Sequence, residues 1–208
     1  LDGQTKVVSA FLVKSFDSNV DIMITTQFGQ IKRSPLKAFE VNRVNKVYDA
    51  ISLAKGDSVS ACFEAYQESD ILVATKEGYS ALYKLNDIPQ VNVKSKGVKA
   101  INLAKGDRLA AACSISDEKS AICVIAESGQ MKRLKRSDFD YNNRPVKGEL
   151  LARKVKTNPI YVQSLLTVYA YDKLEITTDS TYNILAKDIP LMDKLSSYSN
   201  GFKDVDRG

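Results

Sequence analysis

A short phrase built around a glycine returns at a nearly constant interval along this chain, and that interval restricts the possible folds more than any other feature. The phrase is centred on Gly29, Gly78 and Gly129, and Ser180 stands at the equivalent point of a weaker fourth copy, giving spacings of 49, 51 and 51 residues. A fixed period of about 50 residues is typical of propellers and solenoids. Each copy therefore predicts one unit that buries its faces against its neighbours.

The residues around each glycine predict a β-hairpin. In the first copy, the apolar and β-branched residues 22–25 precede the turn, and Ile31 starts the return strand. Gly29 suits the turn because glycine accepts a positive φ without strain. Short strands with turn signals every 8–12 residues indicate an all-β protein, and about four strands per period match a propeller blade. A further strand is predicted over residues 7–13.

We therefore predict one all-β, propeller-like domain over residues 1–208, with about four blades. The predicted repeats cover approximately residues 21–69, 70–118, 119–171 and 172–208. Since Leu1 is not an initiator methionine, we expect the chain to be a piece of a longer protein. Cys62 and Cys113 are 51 residues apart, so we expect both to occupy one repeated position as small buried apolar side chains.

The composition argues against chemistry carried out by this chain. Histidine is absent, which removes the commonest general base and the commonest metal ligand. Neither a phosphate-binding loop nor a dinucleotide fingerprint is present. We therefore predict no catalytic site, no metal and no cofactor in this domain. The apolar runs are strand-sized, so no segment is expected to span a membrane, and three cysteines without close spacing favour a reducing compartment.

Positive charge is unevenly distributed along the chain. The net charge is +5, which divides into +7 over residues 1–156 and −2 over residues 157–208. The densest stretch, residues 131–156, holds nine Lys or Arg against three acids. Such asymmetry indicates a polyanionic partner. The alternative is that these cations simply lie on exposed turns, where they keep the protein soluble.

Many of these cations recur at equivalent places in successive repeats, which would bring them to one rim of a ring. A basic rim suits bent duplex DNA, with affinity coming from phosphate neutralisation rather than base reading. The predicted phosphate contacts are Lys132, Arg133, Lys135, Arg136, Arg144 and Lys147, followed by Lys32, Arg33, Lys94 and Lys96.

The repeats resemble a known family. The phrases at residues 28–33 and 128–133, together with residues 87–89, 96–98 and 103–107, resemble the C-terminal repeats of bacterial type IIA topoisomerase A subunits. The resemblance covers essentially the whole chain. It implies a β-pinwheel, a propeller-like ring whose blades exchange strands, with a basic rim that binds and bends duplex DNA.

Within that family, the loops point to the topoisomerase IV branch. Gyrase A subunits carry a glutamine-initiated box rich in Arg and Gly, and the loops at 42–47, 93–98, 143–148 and 197–202 contain none. The resemblance implies a domain that steers substrate choice for ATP-dependent strand passage in a cytoplasmic, nucleoid-associated enzyme. Its partners would be duplex DNA, the ATPase B subunits and a second A subunit. The alternatives are a gyrase-type DNA-wrapping domain and a propeller that binds protein.

Overall fold

The computed structural model describes residues 6–157, 159–177 and 181–198. In these residues the regular structure is strand, apart from short 3-10 turns at Leu36–Phe39, Leu85–Asp87, Arg136–Asp138 and Ala186–Asp188. The strands are β1 (Val20–Thr26), β2 (Gln30–Pro35), β3 (Val59–Tyr66), β4 (Asp70–Thr75), β5 (Tyr79–Lys84), β6 (Val98–Lys99), β7 (Leu109–Ile115), β8 (Ala121–Ala126), β9 (Met131–Lys135), β10 (Glu149–Leu150), β11 (Val162–Val168), β12 (Lys173–Thr177) and β13 (Thr181–Leu185). The prediction of an all-β fold is confirmed.

Four antiparallel hairpins recur along the chain: β1–β2, β4–β5, β8–β9 and β12–β13. Gly29, Gly78 and Gly129 turn the first three with φ of 82°, 85° and 82°, a conformation in which a side chain would be strained. The fourth turn, residues 178–180, lies outside the described residues.

Each complete sheet combines strands from two successive repeats. The first sheet has the order β3-β1-β2-β6, and the second has the order β10-β5-β4-β7. The hairpin therefore lies between a returning strand from its own repeat (β3, β7) and an exchanged strand from the next repeat (β6, β10). This pairing confirms the strand exchange that the resemblance implied.

Glycine is required where the exchanged strands begin. A Cβ added to Gly97 would lie 2.7 Å from the Ile31 carbonyl oxygen, and one added to Gly148 would lie 2.5 Å from that of Ser80. Both distances are far below contact range, so a side chain here would push the exchanged strand away from its hairpin. The residue before each exchanged strand is therefore fixed by close backbone approach.

The third sheet has the order β11-β8-β9, and the fourth consists of β12 and β13. The returning strands meet on one side of the molecule, where β7 packs between β3 and β11. Apolar side chains fill the space between successive sheets. Met23 of the first sheet and Tyr83 of the second, for example, belong to one buried cluster. The exchanged strands consequently lie on the sheet edges that face away from the returning strands.

Two predictions from the sequence are wrong. Residues 7–13 form no strand, and Leu12 is 86% exposed, because no strand lies beside them to pair with their backbone. The two cysteines also differ in position. Cys62 pairs opposite Ile24, five residues before its turn glycine, whereas Cys113 pairs opposite Leu72, six residues before its own. A shift of one residue places the two thiols on opposite sheet faces.

Candidate nucleic-acid interface

Two lysines of the recurring phrase are buried. Lys32 is 1% exposed and Lys132 is 0% exposed. The Lys132 ammonium donates to the carbonyl oxygen of Lys194 at 2.7 Å, and the Lys32 ammonium donates to that of Ala50 at 2.5 Å and to that of Val93. Desolvation lowers the pKa of both lysines from 10.5 to about 8.

This geometry corrects the expectation that Lys32 and Lys132 contact phosphate. The Lys132 ammonium has three acceptors in all, since it also donates to the carbonyl oxygens of Ser196 at 3.0 Å and Asp193 at 3.4 Å. An ammonium has three donors, so none is left for a ligand. Both lysines hold the loop of the following repeat against their own hairpin.

Arg33 and Arg136 also connect neighbouring repeats. Arg33 donates from Nε to the Asp21 carboxylate at 2.7 Å and from Nη1 to the Leu85 carbonyl at 3.0 Å in the second repeat. Arg136 donates from Nε to the Asp70 carboxylate at 2.5 Å, which joins the third repeat to the second. These side chains are 13% and 15% exposed. The Nε and Nη1 donors of both guanidinium groups bind groups of the protein itself.

Arg133 and Arg144 have the same kind of role. Arg133 donates to the carbonyl oxygens of Ile189 at 2.7 Å and Lys187 at 3.2 Å in the fourth repeat. Arg144 donates from Nη2 to the Asp87 carbonyl at 2.6 Å in the second repeat. The structure therefore places the four predicted arginines at contacts between repeats, where each satisfies carbonyl or carboxylate groups.

The remaining four predicted residues, Lys94, Lys96, Lys135 and Lys147, have exposed side chains. Lys94 and Lys96 lie in the loop that leads into β6, and Lys147 lies in the equivalent loop that leads into β10. These three lysines therefore share the exchanged edge of successive sheets. Lys135 is at the exposed end of β9. The structure thus presents these four as accessible point charges.

Further exposed cations lie beside these positions and were missed by the site prediction. Lys154 and Lys147 both stand over the ring of Tyr79, at 4.4 Å and 5.3 Å from its centroid. Lys84, the exposed last residue of β5, stands 5.0 Å from the ring centroid of Tyr141. The end of the apolar run at residues 81–83 could have identified Lys84 as the exposed last residue of the strand. Nothing in the local sequence pairs Lys154 with Tyr79, which lies in another repeat.

The loops that carry the exposed lysines are free of acidic residues. Residues 90–99 contain three lysines and no Asp or Glu, and residues 141–148 contain Arg144 and Lys147 and no acid. Positive charge is therefore concentrated where the sheet edges face solvent. Such a surface favours contact with a polyanion through its phosphates rather than through base edges.

Within residues 6–157, 159–177 and 181–198, no group of three or more Cys, Asp or Glu side chains is arranged to hold a metal ion. Burial raises the pKa of the Cys113 and Cys123 thiols to about 12, which disfavours the nucleophilic thiolate. No helix in the same residues is long and apolar enough to cross a membrane.

A family model described as "DNA gyrase C-terminal domain, beta-propeller" matches residues 21–63 and 69–114. These stretches contain the first two hairpins and their returning strands. The match therefore falls on the units in which the observed strand exchange is complete.

Curated relatives include the A subunit of DNA topoisomerase 4 from Bacillus subtilis, which is 26% identical over the whole of this chain. Its counterpart from Staphylococcus aureus is 27% identical over 74% of the chain. This chain corresponds to 26% of the first relative and 19% of the second, so it spans about a quarter of their length or less.

Solved structures share the fold. The C-terminal domain of a DNA topoisomerase IV superposes with a TM-score of 0.86 at 23% identity, covering 98% of this chain and 64% of that one. A DNA gyrase A C-terminal domain gives a TM-score of 0.79 at 19% identity, covering 91% and 63%.

The fold and the repeats together define a strand-exchanged, propeller-like domain of the β-pinwheel class. Within this class, the chain is similar to the C-terminal domains of DNA topoisomerase IV and DNA gyrase A subunits, which confirms the resemblance predicted from the glycine phrases.

Proposed function

We propose that this chain is the DNA-binding C-terminal domain of a topoisomerase IV-type A subunit, which binds duplex DNA without sequence preference and bends it. The observation that carries the proposal is the row of exposed lysines on the exchanged edges of successive sheets, at Lys94, Lys96 and Lys147, with Lys135 beyond them. The relatives are named as topoisomerase subunits, which supports the same partner.

The predicted arginines and the exposed lysines have different roles, and this difference supports binding to the phosphate backbone of DNA. The arginines, whose planar forks suit base edges and bidentate contacts, are engaged between repeats. The exposed lysines act as point charges, which neutralise phosphates without reading sequence. A charged edge that continues from one sheet to the next would favour bent DNA, because bending brings more phosphates within reach.

The proposal extends to the protein of which this chain would form a part. That protein would be a cytoplasmic, nucleoid-associated topoisomerase that acts in chromosome segregation by ATP-dependent strand passage, with ATPase B subunits and a second A subunit. In this scheme, the 208 residues form one DNA-binding domain that steers the choice of DNA substrate and carries out no bond chemistry.

The test is duplex affinity as a function of salt concentration. The wild type should show a steep decrease in the logarithm of affinity with the logarithm of salt. Replacing Lys94, Lys96, Lys135 and Lys147 with Gln should make the slope shallower by about 3 to 4, because each lost phosphate contact removes about 0.9.

A matched variant removes four exposed lysines elsewhere, at Lys14, Lys55, Lys105 and Lys173. Its net charge equals that of the first variant, and its slope should stay close to that of the wild type. Equal slopes for both variants would show that only net charge matters, and absence of wild-type binding would refute the DNA proposal.

The gyrase alternative is separated by plasmid topology. Sealing the nick of a nicked plasmid while a wrapping domain is bound changes the linking number of the closed plasmid. The proposed topoisomerase IV-type domain should bend short duplexes, measured by cyclisation, and leave the linking number of the plasmid nearly unchanged. A large change in linking number would favour the gyrase alternative.

A further inference from the structure

An exposed aromatic side chain stands at the turn of the first hairpin, beside the lysines of the exchanged edge. Phe28 directly precedes the turn glycine and is 50% exposed. The equivalent residues of the next two repeats, Glu77 and Ser128, are polar. All three turns have the same backbone conformation at the glycine that follows. The turn therefore does not require an apolar residue at this position, and Phe28 needs another explanation.

The residue that lies against each turn differs in the same way between repeats. In the second repeat, Glu77 forms an ion pair with Lys154, 2.8 Å apart. Leu103 stands at the position equivalent to Lys154 one repeat earlier. It lies close to the first turn, because a Cβ added to Gly29 would be 3.3 Å from the Leu103 Cδ1 atom. The first turn thus has two apolar side chains where the second has an ion pair.

Hydrogen bonds hold the first turn in one orientation. The Phe28 amide donates to the Asp57 carboxylate at 3.0 Å. The Gly29 amide donates to the Thr26 carbonyl oxygen at 2.9 Å. The Gly29 carbonyl oxygen accepts from the Ala100 amide at 2.8 Å, directly after the exchanged strand. Because the backbone on both sides of the aromatic ring is fixed, little conformational freedom would be lost when the ring contacts a ligand.

Exposed cations lie on both sides of the ring. Phe28 and Lys96 line one cavity of about 270 Å³. On the other side, the Arg108 guanidinium donates from Nη1 to the side-chain oxygen of Gln27 at 3.3 Å, next to Phe28 in the chain. Lys96 and Arg108 are both exposed. A duplex whose phosphates contacted these two cations would therefore pass over the aromatic ring.

We propose that Phe28 inserts as an apolar wedge between two base pairs of duplex DNA bound at this edge, which partly unstacks one base step and kinks the duplex. This inference rests on the proposed function, because the lysines must first hold the duplex. Inserted Phe or Leu side chains unstack a base step at a cost that is offset by the additional contacts of the bent duplex. The cost is smallest at a mismatched base pair. The domain should therefore prefer duplexes that contain one.

The test compares a duplex of about 30 base pairs with the same duplex carrying one central mismatch. The wild type should bind the mismatched duplex at least about fivefold more tightly. Phe28→Ser, which introduces the residue type of the third repeat, should reduce this preference to less than about twofold and leave the salt slope unchanged. Phe28→Leu should keep the preference, because leucine also acts as a wedge.

The control variant is Tyr171→Ser, which removes an aromatic side chain that is 77% exposed between β11 and β12. It should bind both duplexes as the wild type does. Circular dichroism verifies that every variant folds. The fluorescence of a 2-aminopurine beside the mismatch reports unstacking directly, and it should rise with the wild type but not with Phe28→Ser.

The outcomes separate the wedge from the proposed function. Equal wild-type affinity for the two duplexes, with a steep salt dependence, would overturn the wedge and leave the proposed function intact. A mismatch preference that survives in Phe28→Ser would also overturn the wedge. Absence of wild-type binding to either duplex would refute the proposed function and the wedge together.

Discussion

The guanidinium of Arg136 lies 2.5 Å from the carboxylate of Asp70, and this contact joins the third repeat to the second. The other oxygen of Asp70 accepts a hydrogen bond from the Tyr141 hydroxyl at 2.9 Å. Asp21 stands at the same point one repeat earlier, where it accepts hydrogen bonds from Arg33 of its own hairpin at 2.7 Å and from the Gln90 amide of the next repeat at 2.7 Å. A carboxylate at the start of a hairpin therefore accepts hydrogen bonds from several side chains, at least one of which belongs to the next repeat, and so holds that repeat against the hairpin.

Removal of the Asp70 carboxylate should destabilise the domain. Asp70→Ala leaves the Arg136 guanidinium largely buried without its counter-ion, a change that costs about 3 kcal/mol. The measurement is the free energy of unfolding in urea. The control is Glu77→Ala, which breaks the more exposed pair with Lys154, 2.8 Å apart, and should cost less than about 1 kcal/mol. Equal losses in the two variants would contradict the bridging role of Asp70.

Replacing Lys132 should lower the stability of the domain, whereas replacing Lys135 should weaken its binding to DNA. Lys132→Met leaves three carbonyl oxygens without a donor and should lower the free energy of unfolding by about 2 kcal/mol. It should leave the salt dependence of DNA binding unchanged. Lys135→Met should have little effect on stability and should reduce the salt slope by about 0.9. The reverse assignment would refute the distinction between buried and exposed lysines.

Stability should increase with pH in mildly alkaline solution. The pKa of Lys32 and that of Lys132 are about 8 in the folded protein and 10.5 ordinarily. For these two lysines the unfolded chain binds more protons than the folded chain between these values, so they make the free energy of unfolding rise with pH. The rise should be measured between about pH 7.5 and pH 9. At higher pH the opposite effect sets in, because burial raises the pKa of the Cys62 thiol to about 11 and those of the Cys113 and Cys123 thiols to about 12. The raised pKa values of Tyr83 and Tyr198, both about 12, act in the same opposite direction.

The control for this pH dependence is Lys132→Met, which should show a smaller rise than the wild type over the same interval. Urea titrations of both proteins at each pH give the comparison directly. Parallel pH profiles for the two proteins would mean that the Lys132 amine keeps an ordinary pKa in the folded state.

Two glycines with the same backbone angle should tolerate alanine very differently. Gly148 and Gly106 have φ of 81° and 84°. A Cβ at Gly148 would meet the Ser80 carbonyl oxygen at 2.5 Å, whereas a Cβ at Gly106 would meet nothing within 4 Å. Gly106→Ala should cost about 1 kcal/mol from backbone strain alone. Gly148→Ala should cost at least about 2 kcal/mol more, because it displaces β10 from β5. Urea midpoints that coincide would contradict this explanation.

The hairpins could be predicted from the sequence because their determinants are local. Gly29, Gly78 and Gly129 mark turns whose residues lie next to each other in the chain. The Lys-Gly-Asp segments at residues 55–57 and 105–107 also have the composition of turns, but their contribution to the hairpins is visible only in the structure. The Asp57 carboxylate accepts a hydrogen bond from the Phe28 amide at 3.0 Å, and Asp107 accepts one from the Glu77 amide at the same distance. Each aspartate thus supports a hairpin turn about 30 residues earlier in sequence.

The roles of the cations could be predicted only in part. Strand alternation puts Lys132 on the same face as Leu134, which was a signal for burial that the basic composition of the stretch obscured. The roles of Arg33 and Arg144 had no such signal. Their acceptors, the carbonyl oxygens of Leu85 and Asp87, belong to a neighbouring repeat, and local sequence does not reveal which backbone groups are left unpaired there.

Strand exchange also determines the order in which the protein can be assembled on the ribosome. The first hairpin ends at Pro35, but its sheet is complete only when Val98 and Lys99 have been synthesised and have paired with Ile31 and Gln30. The second sheet is likewise complete only when Glu149 and Leu150 have been synthesised. The first two nascent repeats therefore each expose an open sheet edge until the next repeat emerges, so these two sheets are completed in order from the amino-terminal side.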